Sequence, residues 1–348
     1  MTTPPLVSII IVNYNAGKLL LNCVESVFSS NNKNYEVIIV DNCSNDNSHR
    51  NCKKKFDEIK LIENSENLGY CEGNNVGIRN ASGDYLLILN PDTIIESDLI
   101  EKFLDTIKNY GEGLFQGKNV AIDNDNILRS TGNWINLFGF GYARDKGTKE
   151  SNKFFNVEEI NYASGTCLFT STKTMKKIGL FDSFLFLYHD DLDLGWRASC
   201  LNIKSFFVPT IKIRHVSSYN LKWSSKKFFW LERNRKYCLL THYSQSTRNK
   251  IRLEIFLVDA MVFFSYLLKG MIKAKILADI DIFKNRKIIE KKYEELEKVK
   301  IIPDKVIIKQ FSDTIFIPDD ISKELAGKIF NKILGYISNK AKKRLLSS

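Results

Sequence analysis

GDYLLILNPDT, at residues 83–93, is an apolar run that ends in the short polar sequence Asn90-Pro91-Asp92. The run predicts a buried strand over residues 85–89. Ligands of open α/β sheets bind beyond the carboxyl ends of the strands. A carboxylate at that position suits Mg²⁺ or Mn²⁺, which is commonly held by one or two carboxylates and the phosphate oxygens of a substrate. Asp92 is therefore the predicted metal ligand, although an ordinary strand-to-turn corner explains the same residues.

Three further apolar runs precede this one, and segments with helical spacing lie between the runs. Strands are predicted at residues 7–12, 35–40 and 60–62, and helices at residues 19–28 and 73–81. Strands that alternate with helices of this length predict βαβ units with right-handed crossovers. The predicted fold class is therefore α/β, with a Rossmann-like, mainly parallel sheet that is flanked by helices and binds a nucleotide.

The middle of the chain is predicted to be less regular. Residues 114–162 are rich in Gly and Asn and are predicted as loops, which often carry substrate specificity. Regular structure returns with a strand at residues 164–169 and a helix at residues 172–178. The sequence HDDLD at residues 189–193 then opens another helix, so four polar side chains are crowded at one helix entrance.

Charge is distributed unevenly along the 348 residues. Residues 222–348 hold 28 Lys and Arg against 14 Asp and Glu, whereas residues 1–221 hold 23 against 26, so the net charges are +14 and −3. A basic tail beside a near-neutral body indicates an anionic surface as a partner. Because the tail has amphipathic stretches and no nucleic-acid-binding motif, a membrane surface is favoured and nucleic acid is not expected. A merely solvated basic face is the alternative.

Two segments of the tail carry apolar residues. Residues 252–271 are too short and too often interrupted by polar residues to predict a membrane-spanning helix. Residues 321–346 repeat apolar residues at helical spacing with lysines between them. This pattern predicts a helix that either lies on a membrane surface or packs against the rest of the protein.

The cysteines and the amino terminus indicate the cellular compartment. Seven cysteines are scattered without a C-x-x-C pair, so neither a disulfide framework nor a zinc site is predicted. The first residues lack the positive segment of a signal peptide, and the apolar run that follows suits a buried strand. We expect a cytoplasmic protein that its basic tail holds at the inner face of the cell membrane.

Five strings occur in one order and spacing. They are VSIIIVNYN (7–15), EVIIVDN-x-SNDNS (36–48), ENLGY-x-EGNN-x-GI (66–78), GDYLLILNPDT (83–93) and GLFDSFLFLYHDDLDLGWR (179–197). Together they resemble an inverting family 2 glycosyltransferase of GT-A fold, of the rhamnosyltransferase-like branch that builds bacterial surface polysaccharides. The resemblance spans about residues 6–240. It implies a GT-A domain at residues 1–240 and a basic, mostly helical region at residues 241–348 for membrane association or oligomerisation.

The resemblance implies a nucleotide-binding role for several residues. Asp41, at the end of the second strand, matches the carboxylate that accepts a hydrogen bond from the imide N–H of uracil or thymine. A helix cap is the alternative for Asp41, and turn formation explains the residues from 67 to 75 almost as well. The other residues expected beside the nucleotide are Asn13, Asn15, Asn67, Gly69, Asn74, Asn75 and Asn90.

The resemblance also implies a metal centre and a catalytic base. Asp92 and His215 match metal-binding positions for Mn²⁺ or Mg²⁺, which would bridge the donor diphosphate, and a structural histidine is the alternative for His215. Asp191 matches the base that takes the proton of the acceptor hydroxyl. Asn90 departs from the two-carboxylate motif, so we expect weak metal binding without nucleotide. The residues expected around the donor or acceptor sugar are Asp190, Asp193, Trp196 and Arg197.

The expected function is metal-dependent transfer of a sugar from a UDP- or dTDP-sugar to a glycan acceptor, which is expected to be lipid-linked. The alternatives are a catalytically silent glycan-binding or scaffold relative and a sugar nucleotidyltransferase. The second is disfavoured because the loop after the first strand lacks a basic, Gly-rich sequence. A metal hydrolase that uses residues 189–193 is also disfavoured, since adjacent helical ligands cannot all converge on one ion. A homo-oligomer stays open.

Overall fold

The apolar runs near the amino terminus form neighbouring strands of one sheet. Strand β1 (Val7–Asn13) pairs in parallel with β2 (Tyr35–Asp41) on one side and with β4 (Tyr85–Leu89) on the other. All seven residues of β1 are buried. A strand buried on both faces needs a continuous apolar sequence rather than an alternating one, and β1 has such a sequence. The structure is a computed structural model, and the residues it describes are 5–151, 154–216, 224–316 and 325–347.

The sheet has ten strands and mixed pairing. Its other strands are β3 (Lys60–Glu63), β5 (Thr93–Ile95), β6 (Gly113–Ala121), β7 (Leu128–Ser130), β10 (Glu158–Ile160), β11 (Cys167–Ser171) and β12 (Lys204–His215). The order is β10-β12-β6-β11-β4-β1-β2-β3, with β5 on β12 and β7 on β6. β11 runs antiparallel between β4 and β6, while β3 continues the parallel set beyond β2. Two more short strands, β8 (Asn133–Ile135) and β9 (Gly141–Ala143), form a separate two-stranded sheet.

Helices connect and flank these strands. They are α1 (Lys18–Phe28), α2 (Ser48–Lys55), α3 (Gly69–Arg79), α4 (Leu99–Tyr110), α5 (Thr172–Ile178) and α6 (Asp190–Cys200). α1 buries Leu20, Val24 and Val27, which share one face because they are four and three residues apart. Each such side chain contributes about 1.5–3 kcal/mol when buried. α5 starts where the Ser171 hydroxyl accepts a hydrogen bond from the Thr174 amide, and it ends at Gly179, as expected.

Residues 114–162 are more regular than the sequence predicted. β6 lies inside the sheet, between β11 and β12. Its sequence, GLFQGKNVA, looks like a loop because it contains buried polar residues. The structure satisfies them: the side-chain oxygen of Gln116 accepts hydrogen bonds from Asn133 Nδ2 at 2.6 Å and from the Ser164 amide at 2.7 Å. A strand tolerates a buried polar side chain when that side chain is paired in this way.

The contacts divide the chain into two units. The first comprises residues 1–133, 143–195 and 203–219, and the second comprises residues 134–142, 196–202 and 220–348. The helices of the second unit are α7 (Ser225–His242), α8 (Gln245–Lys250), α9 (Arg252–Leu268), α10 (Ile272–Lys284), α11 (Arg286–Val299), α12 (Asp304–Gln310) and α13 (Leu325–Ser347). The predicted domain boundary at residue 240 thus falls inside α7.

The two apolar segments of the tail are both helical. α13 buries Leu334, Ser338, Ala341 and Leu345, which lie on one face at helical spacing. Packing within the second unit therefore explains this helix, whose predicted beginning at residues 321–324 lies outside the described residues. Across the described part of the chain, no helix combines the length and the apolar character needed to cross a membrane.

Gly77→Ala should lower the free energy of unfolding by about 1–2 kcal/mol. Gly77 of α3 lies against Ile10 of β1, and an added β-carbon would overlap the Ile10 side chain. Overpacking costs about 1–3 kcal/mol, which outweighs the roughly 1 kcal/mol by which alanine favours a helix over glycine. Thermal unfolding followed by circular dichroism measures the effect. Lys54→Ala, at an exposed position of α2, is the control, and a Gly77→Ala variant as stable as the wild type would contradict the contact.

Candidate active site

The turn after β4 places Asp92 beside His215. β5 follows this turn and pairs antiparallel with the end of β12, so that Thr93 lies opposite His215. The Val216 amide donates a hydrogen bond to the Asp92 carbonyl at 3.0 Å. His215 Nε2 lies 3.2 Å from Asp92 Oδ2. Strand pairing therefore brings one carboxylate and one imidazole together from distant parts of the sequence.

Asp92 has a buried oxygen that suits a cation. The residue is 4% exposed, and among the described residues its Oδ1 has no hydrogen-bond partner. A buried carboxylate oxygen without a partner is unfavourable, and a bound cation would remove that penalty. One carboxylate and one imidazole suit Mn²⁺, with water and phosphate oxygens as its other ligands. The residues present therefore fit the predicted divalent metal.

Asn90 shapes the same turn through its backbone. Its amide donates to the Thr166 carbonyl at 3.0 Å, and its carbonyl accepts from the Thr93 hydroxyl at 2.7 Å. These contacts tie the end of β4 to the segment before β11. The Asn90 side chain is half-buried, and its predicted contact with the nucleotide stays a prediction.

Asp41 and Asn13 end the neighbouring strands β2 and β1 and contact each other. They are paired in register, and Asn13 Nδ2 donates to Asp41 Oδ1 at 2.7 Å. Asp41 Oδ2 accepts from the Ser44 amide at 2.8 Å. Asn13 is fully buried and Asp41 is 2% exposed. Asn13 therefore supports the carboxylate, and contact of Asp41 with a base stays a prediction.

His49 belongs to this cluster, although the sequence analysis missed it. It lies in the first turn of α2 and is 2% exposed. Its Nδ1 is 3.1 Å from Asp41 Oδ1, and its Nε2 is 3.0 Å from Oε1 of Glu63, the residue paired with Asp41 on β3. The imidazole therefore bridges carboxylates from adjacent strands. The sequence signal was a histidine in the helix that follows Asp41, which alone indicates little.

Asn15, Asn67 and Gly69 lie in turns. Asn15 has a left-handed φ of 53°, and its Oδ1 accepts from the Asn45 amide at 2.8 Å. Asn67 Oδ1 accepts from the Gly69 amide at 2.9 Å. Gly69 has a φ of 77°, and a β-carbon there would overlap Phe186, so the position needs glycine. Turn formation explains these contacts, and their role at the nucleotide stays a prediction.

Asn74 and Asn75 are buried residues of α3. Asn74 Nδ2 donates to the Tyr70 carbonyl at 2.9 Å within the helix. Asn75 holds both backbone groups of Phe181, because its Nδ2 donates to the Phe181 carbonyl at 2.9 Å and its Oδ1 accepts from the Phe181 amide at 3.0 Å. Asn75 therefore ties α3 to the segment that leads to Asp190.

The segment before Asp190 has an uncommon backbone conformation. Phe186, Tyr188 and His189 have φ values of 64°, 67° and 59°. Non-glycine residues rarely adopt this region, and each such residue costs on the order of 1 kcal/mol. The Tyr70 amide holds the segment through a 2.7 Å hydrogen bond to the Phe186 carbonyl. Strain of this kind is concentrated at functional sites, and here it immediately precedes the acidic start of α6.

Asp191 lies at the same edge of the sheet as Asp92. Its Oδ2 accepts a hydrogen bond from the Gly165 amide at 3.3 Å, and its Oδ1 accepts from the Leu192 amide at 2.9 Å. Gly165 precedes Thr166, whose carbonyl accepts the Asn90 amide hydrogen bond. This short series of contacts links Asp191 to the turn that contains Asp92.

Burial raises the pKa of both carboxyl groups at the start of α6. It raises the pKa of Asp191 to about 6. Asp190 is 7% exposed, and burial, followed by the negative charge of Asp191, raises the pKa of Asp190 well above its usual range. Because the Asp191 charge opposes ionisation of Asp190, Asp191 ionises first. Asp191 is therefore the member of the pair that can accept a proton near neutral pH.

The remaining predicted residues lie further along α6. Asp193 is 1% exposed, and Arg197 is half-buried. Trp196 lies in the core of the second unit, where its ring centroid is 4.9 Å from those of Tyr243 and Phe311. Packing accounts for Trp196, while sugar contacts by Asp193 and Arg197 stay predictions.

Comparisons with known proteins find related sequences. The family model for glycosyl transferase family 2 matches residues 8–179. Glycosyltransferase GlyG of Streptococcus pneumoniae is 27% identical over 56% of this chain and 71% of its own length. The low-salt glycan biosynthesis hexosyltransferase Agl10 of Haloferax volcanii is 28% identical over 56% of this chain, which covers 62% of Agl10. The N-acetylglucosaminyl-diphospho-decaprenol L-rhamnosyltransferase of Mycobacterium tuberculosis is 20% identical over 61% of this chain and 76% of its own length.

Solved structures share the fold. GalNAc-T7, solved with UDP, GalNAc and Mn²⁺, has a TM-score of 0.57 and 16% identity over 71% of this chain and 51% of its own. Residues 1–349 of Staphylococcus aureus TarS, solved with UDP, have a TM-score of 0.51 and 14% identity over 98% of this chain and 89% of their own. At these identities the likeness shows the fold alone, and it confirms the predicted α/β class of GT-A type.

Asp191→Asn should raise the melting temperature at pH 7 by a few degrees. In the folded state the Asp191 carboxyl keeps its proton up to about pH 6, whereas its ordinary pKa is 3.8. The ionised group therefore opposes folding above pH 6, and this penalty fades as the pH falls towards 4. Because the side chain is half-buried, we expect a gain on the order of 1 kcal/mol from the neutral amide.

Thermal unfolding of both proteins between pH 4.5 and pH 8 tests this prediction. Asp123→Asn, which removes an exposed carboxylate of the same unit, should leave the melting temperature nearly unchanged. A stabilisation of the Asp191→Asn variant that does not shrink towards low pH would show that the pKa of Asp191 is not raised.

Proposed function

Residues 8–179 are a glycosyl transferase family 2 domain, and from this premise we propose that the chain transfers a sugar from a nucleotide diphosphate donor to a hydroxyl group of a glycan. The proposed reaction requires a divalent cation, inverts the anomeric carbon and uses Asp191 as its base. The donor is a UDP- or dTDP-sugar.

The observation that carries this proposal is the placement of Asp92. Its unpartnered buried oxygen lies beside His215, at the edge of the sheet where Asp191 is also held. Among proteins of like fold, GalNAc-T7 was solved with UDP and Mn²⁺. Asp92 and His215 would hold the cation, which supplies positive charge that offsets the charge developing on the diphosphate leaving group.

Asp191 is oriented for proton transfer. Two backbone amides, those of Gly165 and Leu192, fix its carboxylate. In a single displacement, Asp191 accepts the proton of the acceptor hydroxyl while that oxygen bonds to the anomeric carbon. The bond from that carbon to the diphosphate breaks on the opposite face, so the configuration inverts. Asp190 keeps its proton when Asp191 is ionised, which leaves the negative charge of the pair on the base.

Asp41 is the proposed recognition group for the base of the nucleotide. Its Oδ2 accepts one hydrogen bond from the Ser44 amide, and a carboxylate oxygen can accept a second from the imide N–H of uracil or thymine. Asn13 and His49 hold this carboxylate from within the protein. We therefore assign both as positioning residues, which act on the nucleotide through Asp41.

The acceptor is proposed from the names of the relatives and from charge. Agl10 is named as a hexosyltransferase of glycan biosynthesis, and the mycobacterial relative as a rhamnosyltransferase whose acceptor is a diphospho-decaprenol. These names support transfer of a hexose or deoxyhexose to a lipid-linked glycan during synthesis of a surface polysaccharide. The net charge of +14 in residues 222–348 supports binding at the inner face of a membrane.

Metal-dependent binding of UDP or dTDP is the first expected result. Either nucleotide at about 100 times its dissociation constant stabilises the protein by roughly 2.7 kcal/mol, which raises the melting temperature by several degrees when Mn²⁺ is present. GDP and CDP should have less effect, because Asp41 selects an imide N–H. Asp92→Asn should remove the Mn²⁺-dependent part, while Asp123→Asn should retain it. If none of the four nucleotides raised the melting temperature, a catalytically silent relative would be favoured.

Asp191→Asn should reduce sugar transfer by about 10²–10⁴-fold, since it removes the base. Transfer is measured with radiolabelled UDP- and dTDP-sugars and a bacterial lipid extract as acceptor. Stabilisation by UDP and Mn²⁺ should be unchanged in this variant. In the wild type, kcat/KM should fall as the pH drops below about 6, because protonated Asp191 cannot accept a proton. Loss of nucleotide binding together with transfer would contradict the role of Asp191.

A further inference from the structure

The second unit has an apolar surface on two consecutive helices. Of the 22 large hydrophobic side chains that are exposed among the described residues, twelve lie between residues 253 and 288, and three lie in the first unit. On α9, Phe256, Phe264 and Leu268 are 68%, 61% and 80% exposed. Exposed apolar residues in such a cluster mark an interaction surface rather than ordinary scatter.

These residues lie on one face of each helix. The exposed apolar positions of α9 are Leu253, Phe256, Leu257, Phe263, Phe264, Leu267 and Leu268, which recur at spacings of three and four. Its buried positions, Glu254, Val258, Val262 and Tyr266, lie on the opposite face. α10 repeats this arrangement, with Ile276, Leu277, Ile280 and Phe283 exposed. We call these exposed residues of α9 and α10 the apolar face.

The exposed charges around the apolar face have one sign. Within residues 252–288, the exposed charged residues are Arg252, Lys269, Lys273, Lys284, Arg286 and Lys287. The four acids of this segment are buried or half-buried. Each acid also lies close to a cation elsewhere in the unit: Glu254 to Arg344, Asp259 and Asp279 to Lys236, and Asp281 to Arg233.

We propose that the apolar face of α9 and α10 docks on an anionic lipid bilayer, with its Phe and Leu side chains at the boundary of the acyl chains and its Lys and Arg side chains on the headgroup phosphates. An apolar stripe flanked by basic residues is the pattern of helices that lie in a membrane interface. Each Lys or Arg near an anionic membrane adds about 1 kcal/mol to such binding. This inference deepens the proposed membrane partner of the transferase and rests on it.

A second copy of the chain is a poorer occupant for the same face. A two-fold interface would bring six exposed bases of one copy towards those of the other, and no exposed acid of the segment would lie between them. Like charges brought together in this way are repulsive. An anionic surface instead complements both the charge and the apolar character of the face.

Vesicle binding by the full chain tests the proposal. The probes are phosphatidylcholine vesicles with and without about 30% phosphatidylglycerol, at low salt and at 0.5 M salt. The triple variant Phe256→Gln, Phe264→Gln, Leu268→Gln should lose about tenfold or more in binding to the anionic vesicles. Lys269→Glu combined with Lys273→Glu should lose a similar factor at low salt and much less at 0.5 M, since salt screens charge.

Matched variants on α13 serve as controls. Ile329→Gln, Ile333→Gln and Tyr336→Gln replace side chains that are 50%, 43% and 71% exposed elsewhere in the same unit, and vesicle binding should stay within about twofold of the wild type. All the replaced side chains are exposed, so each variant should fold, as its melting temperature will show. Triple variants of the two helices that bind anionic vesicles equally well would overturn the proposal.

Two more measurements identify other causes. Sedimentation without vesicles would show a dimer that the α9 variant dissociates if a second copy covers the face, and that result would also overturn the proposal. Stabilisation by UDP and Mn²⁺ is measured on the same proteins. Normal nucleotide binding with no vesicle binding by the wild type would refute the membrane inference alone. Vesicle binding that depends on the apolar face, with no response to nucleotides, would support the inference and refute the proposed transferase.

Discussion

The parallel pairing of β1 with β2 and β4 is the constraint on which the candidate site depends. In this register Asn13 lies opposite Asp41, and Leu89 lies opposite Ile11. The residues that follow each strand therefore reach the same edge of the sheet. A slip of one residue would turn every side chain of a strand to its other face and separate these groups. Burial of β1 on both faces fixes the register, because such a slip would also disrupt the apolar packing.

Buried polar contacts hold the functional side chains in place around that sheet edge. His49 connects Asp41 to Glu63, and Asn75 ties α3 to the backbone of Phe181. These side chains contact protein groups, so their effect on a ligand is indirect. Asp92 and Asp191 differ, since one keeps a buried oxygen without a partner and the other has a raised pKa. Groups that reduce stability in this way are expected where a protein binds a cation or transfers a proton.

Charges in the second unit are sorted by depth. Lys275 is fully buried and lies 3.2 Å from Glu232, 3.1 Å from Asp259 and 2.9 Å from Asp279. A buried ammonium group needs such partners, because its desolvation is otherwise costly. The same contacts draw Asp259 and Asp279 away from the exposed side of α9 and α10. The internal charge network therefore leaves that side apolar and basic.

The sequence by itself determined the strands near the amino terminus, since continuous apolar runs such as 85–89 have few other stable arrangements. It also indicated Asp92 and Asp191 through their positions at a strand end and a helix start. It did not reveal β6, whose Gln116 becomes acceptable in a strand only when Asn133 and Ser164 supply its hydrogen bonds. Nor did it reveal His49 as the bridge between Asp41 and Glu63, or place Trp196 in a core. Those outcomes depend on which distant residues meet, and only the tertiary structure brings together groups that local propensity and spacing leave independent.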